Sequence, residues 1–301
     1  MFKKVCIIGC GLIGSSIARG IKKNKLAVKV VSSNRSNSTN KKVMRLKIVD
    51  AASSDTKKIV KGSDLIIIAS PLSSYKNIVL KIKNSLRNGA ILTDVGSVKK
   101  KAISLIEKNI PKNVSWISSH PIAGTEESGP KAGFSELFKK RWCIVSPSKN
   151  AKKENIDKLK NFWESVGSKV KIMDFKEHDY ILSLTSHLPH AVAYSIVRTA
   201  VRSDEKLKDE VIKYSAGGLR DFTRIASSDP VMWRDIFIDN SDNIIRAIDE
   251  LLKNLEEFKK AVNEKNGDHL AKIFYSTKNI RKEIIKEGQD VDQPDFGRKK
   301  N

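Results

Sequence analysis

The sequence predicts an α/β domain built on a doubly wound parallel sheet, followed by an all-α domain. Three observations carry that prediction. Short apolar runs alternate with helical patterns through the first 174 residues, and such alternation builds a parallel sheet with helices on both faces. A glycine-rich turn joins the first apolar run to the first helix. Beyond residue 175 strand signals vanish and long amphipathic stretches replace them.

Residues 5–8 form a β-branched run, and residues 12–21 read as a helix with small residues on one face. A second strand follows at 27–31. Residues 65–69 are continuously apolar, as expected of a strand buried on both faces, and 90–95 form another such strand. Helical patterns at 73–82 and 98–108 alternate with these strands. Residues 143–146 and 170–173 are late strands. The Lys-rich stretch 151–166 carries Ile156, Leu159, Phe162, Trp163 and Val166 at helical spacing. Stretches 181–201, 244–262 and 270–285 are the long helices of the second domain. The expected organisation is a dinucleotide-binding domain at 1–174, a helical substrate and dimerisation domain at 175–290, and a tail at 291–301, of which Pro294-Asp295-Phe296 can dock. Ile244, Ile248, Leu251, Leu255 and Phe258 form an apolar stripe larger than one short domain needs, which argues for a homodimer.

The net charge is +23, from 57 Lys and Arg against 34 Asp and Glu. Nucleic acid is the first partner such a charge raises. The lysines, however, are spread over almost every segment. There is no zinc-finger spacing, no basic stretch interleaved with aromatics, and no basic tail beyond Arg298-Lys299-Lys300. No nucleic-acid partner is expected, while the basic surface favours small anionic substrates. Cys6, Cys10 and Cys143 are odd in number and lack a CxxC pair, so neither a disulfide framework nor a zinc site follows, and the expected location is a reducing cytoplasm. Ile7-Ile8-Gly9-Cys10 after Lys3-Lys4 imitates a lipoprotein box, but the apolar run is too short for a signal core. No run approaches the roughly 18 apolar residues of a membrane span.

Gly9-Cys10-Gly11-Leu12-Ile13-Gly14 follows the first strand and opens the first helix. In that setting GxGxxG is a dinucleotide fingerprint of the Rossmann type. Gly9 allows the tight turn, Gly11 the approach of a pyrophosphate, and Gly14 the close packing of helix on strand. The helix N-terminus offers N–H groups and dipole to the anion. The acid that usually reads the ribose of NAD after the second strand is missing. Asn34, Arg35 and Ser36 stand there and suit the 2′-phosphate of NADP, although Asn34 can also bond a 2′-OH. The cofactor is NAD or NADP, with NADP slightly favoured. Ser70 and Pro71, ending the strand at 65–69, are expected near the nicotinamide.

Further segments suggest chemistry. His120 lies in Ser119-His120-Pro121-Ile122-Ala123-Gly124-Thr125, read as a short loop after the apolar run 114–117, where an imidazole can take a proton or simply be solvated. His178-Asp179 opens the helical half, and His187 and His190 in Ser186-His187-Leu188-Pro189-His190 share a helix face. No Cys or carboxylate at matching spacing supports a metal, so substrate contact is the better reading. Gly217-Gly218-Leu219-Arg220-Asp221-Phe222-Thr223-Arg224 leads to Asp229-Pro230-Val231-Met232-Trp233-Arg234-Asp235. Asp229 suits an N-cap and Pro230 the first helical turn. Arginines beside a Gly turn suit a carboxylate, while surface ion pairs are an equal reading for Arg220 and Arg234. Trp233 fits a core as well as a site.

These pieces together resemble the prephenate/arogenate (cyclohexadienyl) dehydrogenases of tyrosine biosynthesis. The carrying segments are the glycine fingerprint, Asp94-Val95-Gly96-Ser97-Val98-Lys99, the Ser119–Pro130 stretch, His178-Asp179, the Ser186–His190 stretch, and the run from Gly217 to Asp235, within which 221–230 is the most specific. The likeness extends to about Gly297. It implies an oxidoreductase that oxidatively decarboxylates prephenate to 4-hydroxyphenylpyruvate, or arogenate to tyrosine. It further implies His120 as the catalytic residue on the substrate hydroxyl, Ser97 and Thr125 beside substrate and nicotinamide, and His190, Gly217 and Arg224 lining the substrate pocket, with Arg224 on a carboxylate. Asn34 departs from the acid common in the family. Glu126, Glu127 and Asp221 are the acids available to an arogenate ammonium. Two other readings keep the fold: a β-hydroxyacid or imine reductase, which needs a catalytic Lys or Asp in another setting, and a cofactor-sensing regulator without turnover.

Overall fold

The computed structural model describes residues 1–125, 127–202 and 207–287. Glu126 and the expected tail with its Pro294-Asp295-Phe296 lie outside the described residues. The described chain divides into two compact units: Met1–Leu182 with Ser228–Ser241, and Ser183–Ser227 with the segment from Asp242 on.

The first unit is an eight-stranded sheet. Its strands are β1 (Phe2–Ile8), β2 (Ala27–Ser33), β3 (Ala51–Ser53), β4 (Leu65–Ile68), β5 (Ile91–Asp94), β6 (Ser115–Pro121), β7 (Trp142–Pro147) and β8 (Lys169–Ile172), in the order β3-β2-β1-β4-β5-β6-β7-β8. The order reverses between β1 and β4, and the strand ends at such a switch point open a crevice for ligands. The apolar runs sort by the two-residue period of a strand. Val5, Ile7, Leu65 and Ile67 face one core with Ile17, Ile21, Phe162 and Trp163, whereas Cys6, Ile8, Ile66 and Ile68 face the other with Val79, Ile82, Ile106 and Trp116. Both faces are covered by α1 (Leu12–Lys23), α2 (Asn37–Arg45), α3 (Thr56–Val60), α4 (Tyr75–Ile82), α5 (Lys100–Glu107) and α6 (Lys153–Ser165).

The all-parallel sheet of the sequence reading needs one correction. Pairing is parallel through β6, but β7 runs antiparallel to it, with His120 opposite Ile144. The described residues of the stretch 122–141 between them contain no helix, and an antiparallel return needs no helical crossover. Two helices of the C-terminal half also belong to this unit: α7 (Phe175–Leu182) and α11 (Pro230–Asp239). Asp229 caps α11 by accepting the Met232 N–H at 2.8 Å, with Pro230 in its first turn.

The second unit is helical: α8 (Leu188–Arg202), α9 (Lys208–Lys213), α10 (Gly217–Thr223), a tight turn at Arg224–Ser227, α12 (Ser241–Asn263) and α13 (Gly267–Lys286). The uninterrupted helix expected over 181–201 is instead α7, a wide π-type turn at Ser183–His187, and α8. Pro189 explains the break, because it has no N–H for the carbonyl four residues back and its ring needs room there. Of the expected stripe on α12, Ile244 is buried while Leu255 and Phe258 are exposed, beside Leu252 and Val262, and α13 exposes Phe274, Ile280 and Ile284. Among the described residues no helix is long and apolar enough to cross a membrane.

Candidate active site

The glycine turn stands at the carboxyl end of β1. Gly9 has φ +97°, and a Cβ there would lie 2.5 Å from the Ala69 carbonyl oxygen. A Cβ on Gly14 would lie 2.0 Å from the Gly9 carbonyl oxygen, so helix and turn touch only because both residues lack a side chain. Gly11 differs: nothing lies within 4 Å of where its Cβ would be. The first turn of α1, from Leu12 and Ile13 to Gly14, has neither an acid nor a side-chain cap, and its N–H groups have no helical carbonyl to meet. Open space in front of uncapped N–H groups fits a pyrophosphate.

The residues after β2 divide their labour. Asn34 is buried; its Oδ1 accepts the Cys10 N–H at 2.7 Å, and its amide donates to Asn40 Oδ1 at 2.9 Å and Ser32 Oγ at 3.2 Å. The side chain thus braces the glycine turn from within. Ser36 caps α2, its Oγ accepting the N–H groups of Ser38 and Thr39. Arg35 between them is exposed. At the end of β4, Ser70 donates to the Ile8 carbonyl at 3.0 Å, and its Oγ would be 2.6 Å from a Cβ on Gly9, next to exposed Pro71.

His120 is not in a loop. It is the penultimate residue of β6, a strand whose seven residues are all buried, and is itself 8% exposed. Ser118-Ser119-His120-Pro121 reads as a loop by composition, yet the strand continues because buried partners satisfy its polar groups. Ser119 Oγ meets the Asp94 carbonyl at 2.6 Å and Thr93 Oγ1 at 2.9 Å.

A chain of hydrogen bonds runs back from His120. Its Nδ1 lies 2.9 Å from Nε2 of fully buried His178, the two rings meeting edge to face, and His178 Nδ1 lies 2.8 Å from Asp179 Oδ1. Asp179 also accepts the main-chain N–H groups of Lys99 at 2.8 Å and Lys100 at 2.9 Å, so it caps α5 from outside. Asn240, at the end of α11, donates to the Asp179 carbonyl at 2.8 Å. A carboxylate can only accept, which fixes the tautomers. His178 donates from Nδ1 and accepts at Nε2; His120 then donates from Nδ1 and carries its lone pair on Nε2. Burial holds the His178 pKa below the ordinary imidazole value, against the pull of its bond to Asp179, so His178 remains neutral.

Beside this chain lies a buried ion pair. Lys99 Nζ is 2.9 Å from Asp94 Oδ2 and 3.1 Å from Oδ1, 2.9 Å from Ser118 Oγ and 2.7 Å from the Ser119 carbonyl oxygen; both charged side chains are 0% exposed. Asp94 accepts further bonds from Tyr75 Oη, Ser118 Oγ and the N–H groups of Gly96 and Ser119. Burial, then the Asp94 charge, drives the Tyr75 pKa well above its usual value. The network ties the turn carrying half-buried Ser97 to the strand carrying His120. Thr125 lies five residues further on and is exposed, its Oγ1 accepting the Glu127 N–H.

In the second unit, α10, which Gly217 opens, and the Arg224–Ser227 turn both pack on α8. His190 on α8 is half-buried with Nδ1 2.9 Å from the Ser186 carbonyl oxygen. Its pKa is lowered, first by burial and also by the nearby Arg224 guanidinium, while the bond to Ser186 opposes the shift. His190 and Arg224 are thus neighbours, and Gly217 opens the helix that packs on the same α8. The arginines read together from the sequence are separated. Arg220 pairs with Asp221 at 3.4 Å in the second unit, whereas Arg234 pairs with Asp235 at 2.7 Å in the first. Trp233 is buried against Phe237. Among the described residues no three His, Cys, Asp or Glu side chains are grouped to hold a metal.

Sequence reasoning missed the roles of His178, Asp179, Asp94 and Lys99. A signal was present, in charged residues directly after apolar strand runs and a His-Asp pair where the texture changes.

Comparisons with known proteins identify the family. A family model described as prephenate dehydrogenase, nucleotide-binding domain, matches residues 17–172, and one described as prephenate dehydrogenase, dimerization domain, matches residues 174–276. The cyclohexadienyl dehydrogenase of Zymomonas mobilis is 33% identical over 281 residues, covering 93% of this chain and 96% of that one. Prephenate dehydrogenase of Bacillus subtilis is 32% identical over 278 residues, 92% of this chain and 75% of its own. The crystal structure of prephenate dehydrogenase from A. aeolicus, in complex with hydroxyphenyl propionate and NAD+, superposes with a TM-score of 0.88 at 33% identity, covering 94% of this chain and 99% of that one.

Proposed function

The chain belongs to the prephenate/arogenate dehydrogenase family of NAD(P)-dependent oxidoreductases, and we propose that it oxidatively decarboxylates prephenate, arogenate or both with His120 as the base. The observation that carries the reading is the His120–His178–Asp179 chain at the carboxyl end of β6.

The glycine turn and the start of α1 would hold the dinucleotide, with Ser70 and Pro71 beside it. The nicotinamide, when bound, supplies the hydride acceptor. His120 Nε2 takes the proton of the substrate hydroxyl as the carbon bearing it is oxidised. The resulting imidazolium is stabilised through Nδ1, because neutral His178 accepts there and Asp179 orients His178 behind it. As in a Ser-His-Asp triad, the carboxylate orients and does not itself take the proton. Ser97 and Thr125 serve beside the substrate. Arg224 takes a substrate carboxylate, with His190 and Gly217 as further substrate contacts. Loss of carbon dioxide makes the ring aromatic, so the enzyme mainly supplies orientation and charge placement.

Three finer points complete the reading. NADP binds at least as well as NAD, since no acid follows β2 and Arg35 is exposed beside Asn34. The molecule is a homodimer through the apolar face of α12 and α13. It works in a reducing cytoplasm, where its three buried, unpaired cysteines are stable.

Steady-state turnover of prephenate and arogenate with each cofactor tests this directly. Release of carbon dioxide with 4-hydroxyphenylpyruvate or tyrosine is expected, and Arg35→Ala weakens NADP more than NAD. No turnover with either substrate overturns the reading.

A further inference from the structure

We propose that Lys99 is a positioning residue for the base, fixing both the main chain and the ring orientation of His120. The inference rests on His120 acting as the base.

The mechanism above has no use for the Lys99–Asp94 pair. Removing two charges wholly from water is costly, and a buried pair is at best a weak source of stability. Its placement suggests another use. The three Nζ protons meet four acceptors, all at the end of β5 or on β6. One of these, the Ser119 carbonyl, belongs to the peptide whose nitrogen is that of His120. The side chain of Lys99 therefore grips the strand immediately before the base. Its main-chain N–H donates to Asp179 Oδ1, the same oxygen that meets His178 Nδ1, and His178 meets the His120 ring. One residue thus holds His120 from two directions. An apolar side chain of similar length could fill the same volume, but it could not grip the Ser119 carbonyl.

Electrostatics adds a second consequence. The titratable or charged groups around His178 are Asp179 on its own helix, His120 on β6, Lys99 before α5 and Asp94 on β5. The Lys99 charge opposes protonation of His178, while Asp179 and Asp94 favour it. Removing Lys99 alone leaves Asp94 uncompensated, and the histidine pair then protonates more readily.

The test uses the full chain with prephenate, its preferred nicotinamide cofactor, and the variants Lys99→Met, Asp94→Asn/Lys99→Met and His120→Asn. Lys99→Met is expected to lower kcat at least tenfold, with the prephenate KM changed less than threefold. The acid limb of kcat/KM should move to higher pH by about one unit, a tenfold loss at low pH. The double variant buries no unpaired charge. It should return the limb toward the wild-type position without restoring kcat, because the grip on Ser119 is still missing. Should Lys99→Met not fold, the kcat of the double variant decides. A kcat within twofold of wild type in whichever variant is read, or an unmoved limb in Lys99→Met, overturns the inference about Lys99 alone. An acid limb that survives in His120→Asn overturns the base assignment and this inference with it.

Discussion

Gly11→Ala separates binding from folding in one atom. At Gly11 the backbone is extended, φ −76° and ψ −154°, which alanine adopts without strain, and its Cβ would meet nothing within 4 Å. The methyl narrows the unfolded ensemble, a gain of about 0.4–1 kcal/mol. Alanine is a poorer N-cap than glycine by a similar amount, on the order of 1 kcal/mol. The two nearly cancel, so Tm should stay within about 4 °C of wild type. Binding is different. In the proposed binding mode the pyrophosphate approaches the helix N-terminus through the open space in front of Gly11. A methyl there displaces the anion from its N–H donors, and one lost charge-assisted hydrogen bond is worth about 1.5–3 kcal/mol. The Kd for NAD+, by titration calorimetry, should rise roughly 10- to 150-fold. Gly14→Ala is the complement. Its Cβ would lie 2.0 Å from the Gly9 carbonyl oxygen, and main chain cannot yield as a side chain can. It should cost about 3 kcal/mol or more and lower Tm markedly. A Gly11→Ala protein that binds NAD+ like wild type, or melts more than about 10 °C lower, refutes this reasoning.

Arg224→Ala should raise the prephenate KM by the roughly 2–5 kcal/mol that a carboxylate loses with its charged partner, and Lys should rescue it only in part; an unchanged KM makes Arg224 structural. Buried, neutral His178 has its folded pKa below the ordinary imidazole value, so the stability it contributes is complete above about pH 6.5 and is lost as the pH falls from there through the folded pKa. Urea midpoints at pH 7.5 and 5.5 should therefore differ more in wild type than in His178→Gln, and equal differences contradict the burial account. The apolar face of α12 and α13 predicts a dimer in sedimentation at micromolar protein, split by Phe258→Glu; a monodisperse wild-type monomer contradicts it.

Local chemistry was the most legible part of this sequence. The β1 turn, the alternating apolar runs and the Asp229-Pro230 helix start are set by neighbours in the chain, and the structure has each. What stayed hidden depends on distant partners. The polar end of β6 reads as loop because its composition is that of a loop, and it is a strand because Asp94 and Thr93 satisfy Ser118 and Ser119 across the sheet. His178 follows His120 by 58 positions, and no periodicity says which helix start meets which strand end. Asn34 reads as a ribose contact from its position after β2, because a sequence cannot tell that its amide turns inward to Cys10 and Asn40. Of the three arginines close in sequence, Arg220 and Arg224 belong to the second unit and Arg234, on α11, to the first.

The most direct measurement of the central claim is single-turnover oxidation of prephenate by His120→Asn, with cofactor affinity measured in parallel. If His120 is the base, the rate falls roughly 10²- to 10⁴-fold while the cofactor Kd stays near wild type. A variant that turns over at close to the wild-type rate contradicts the account.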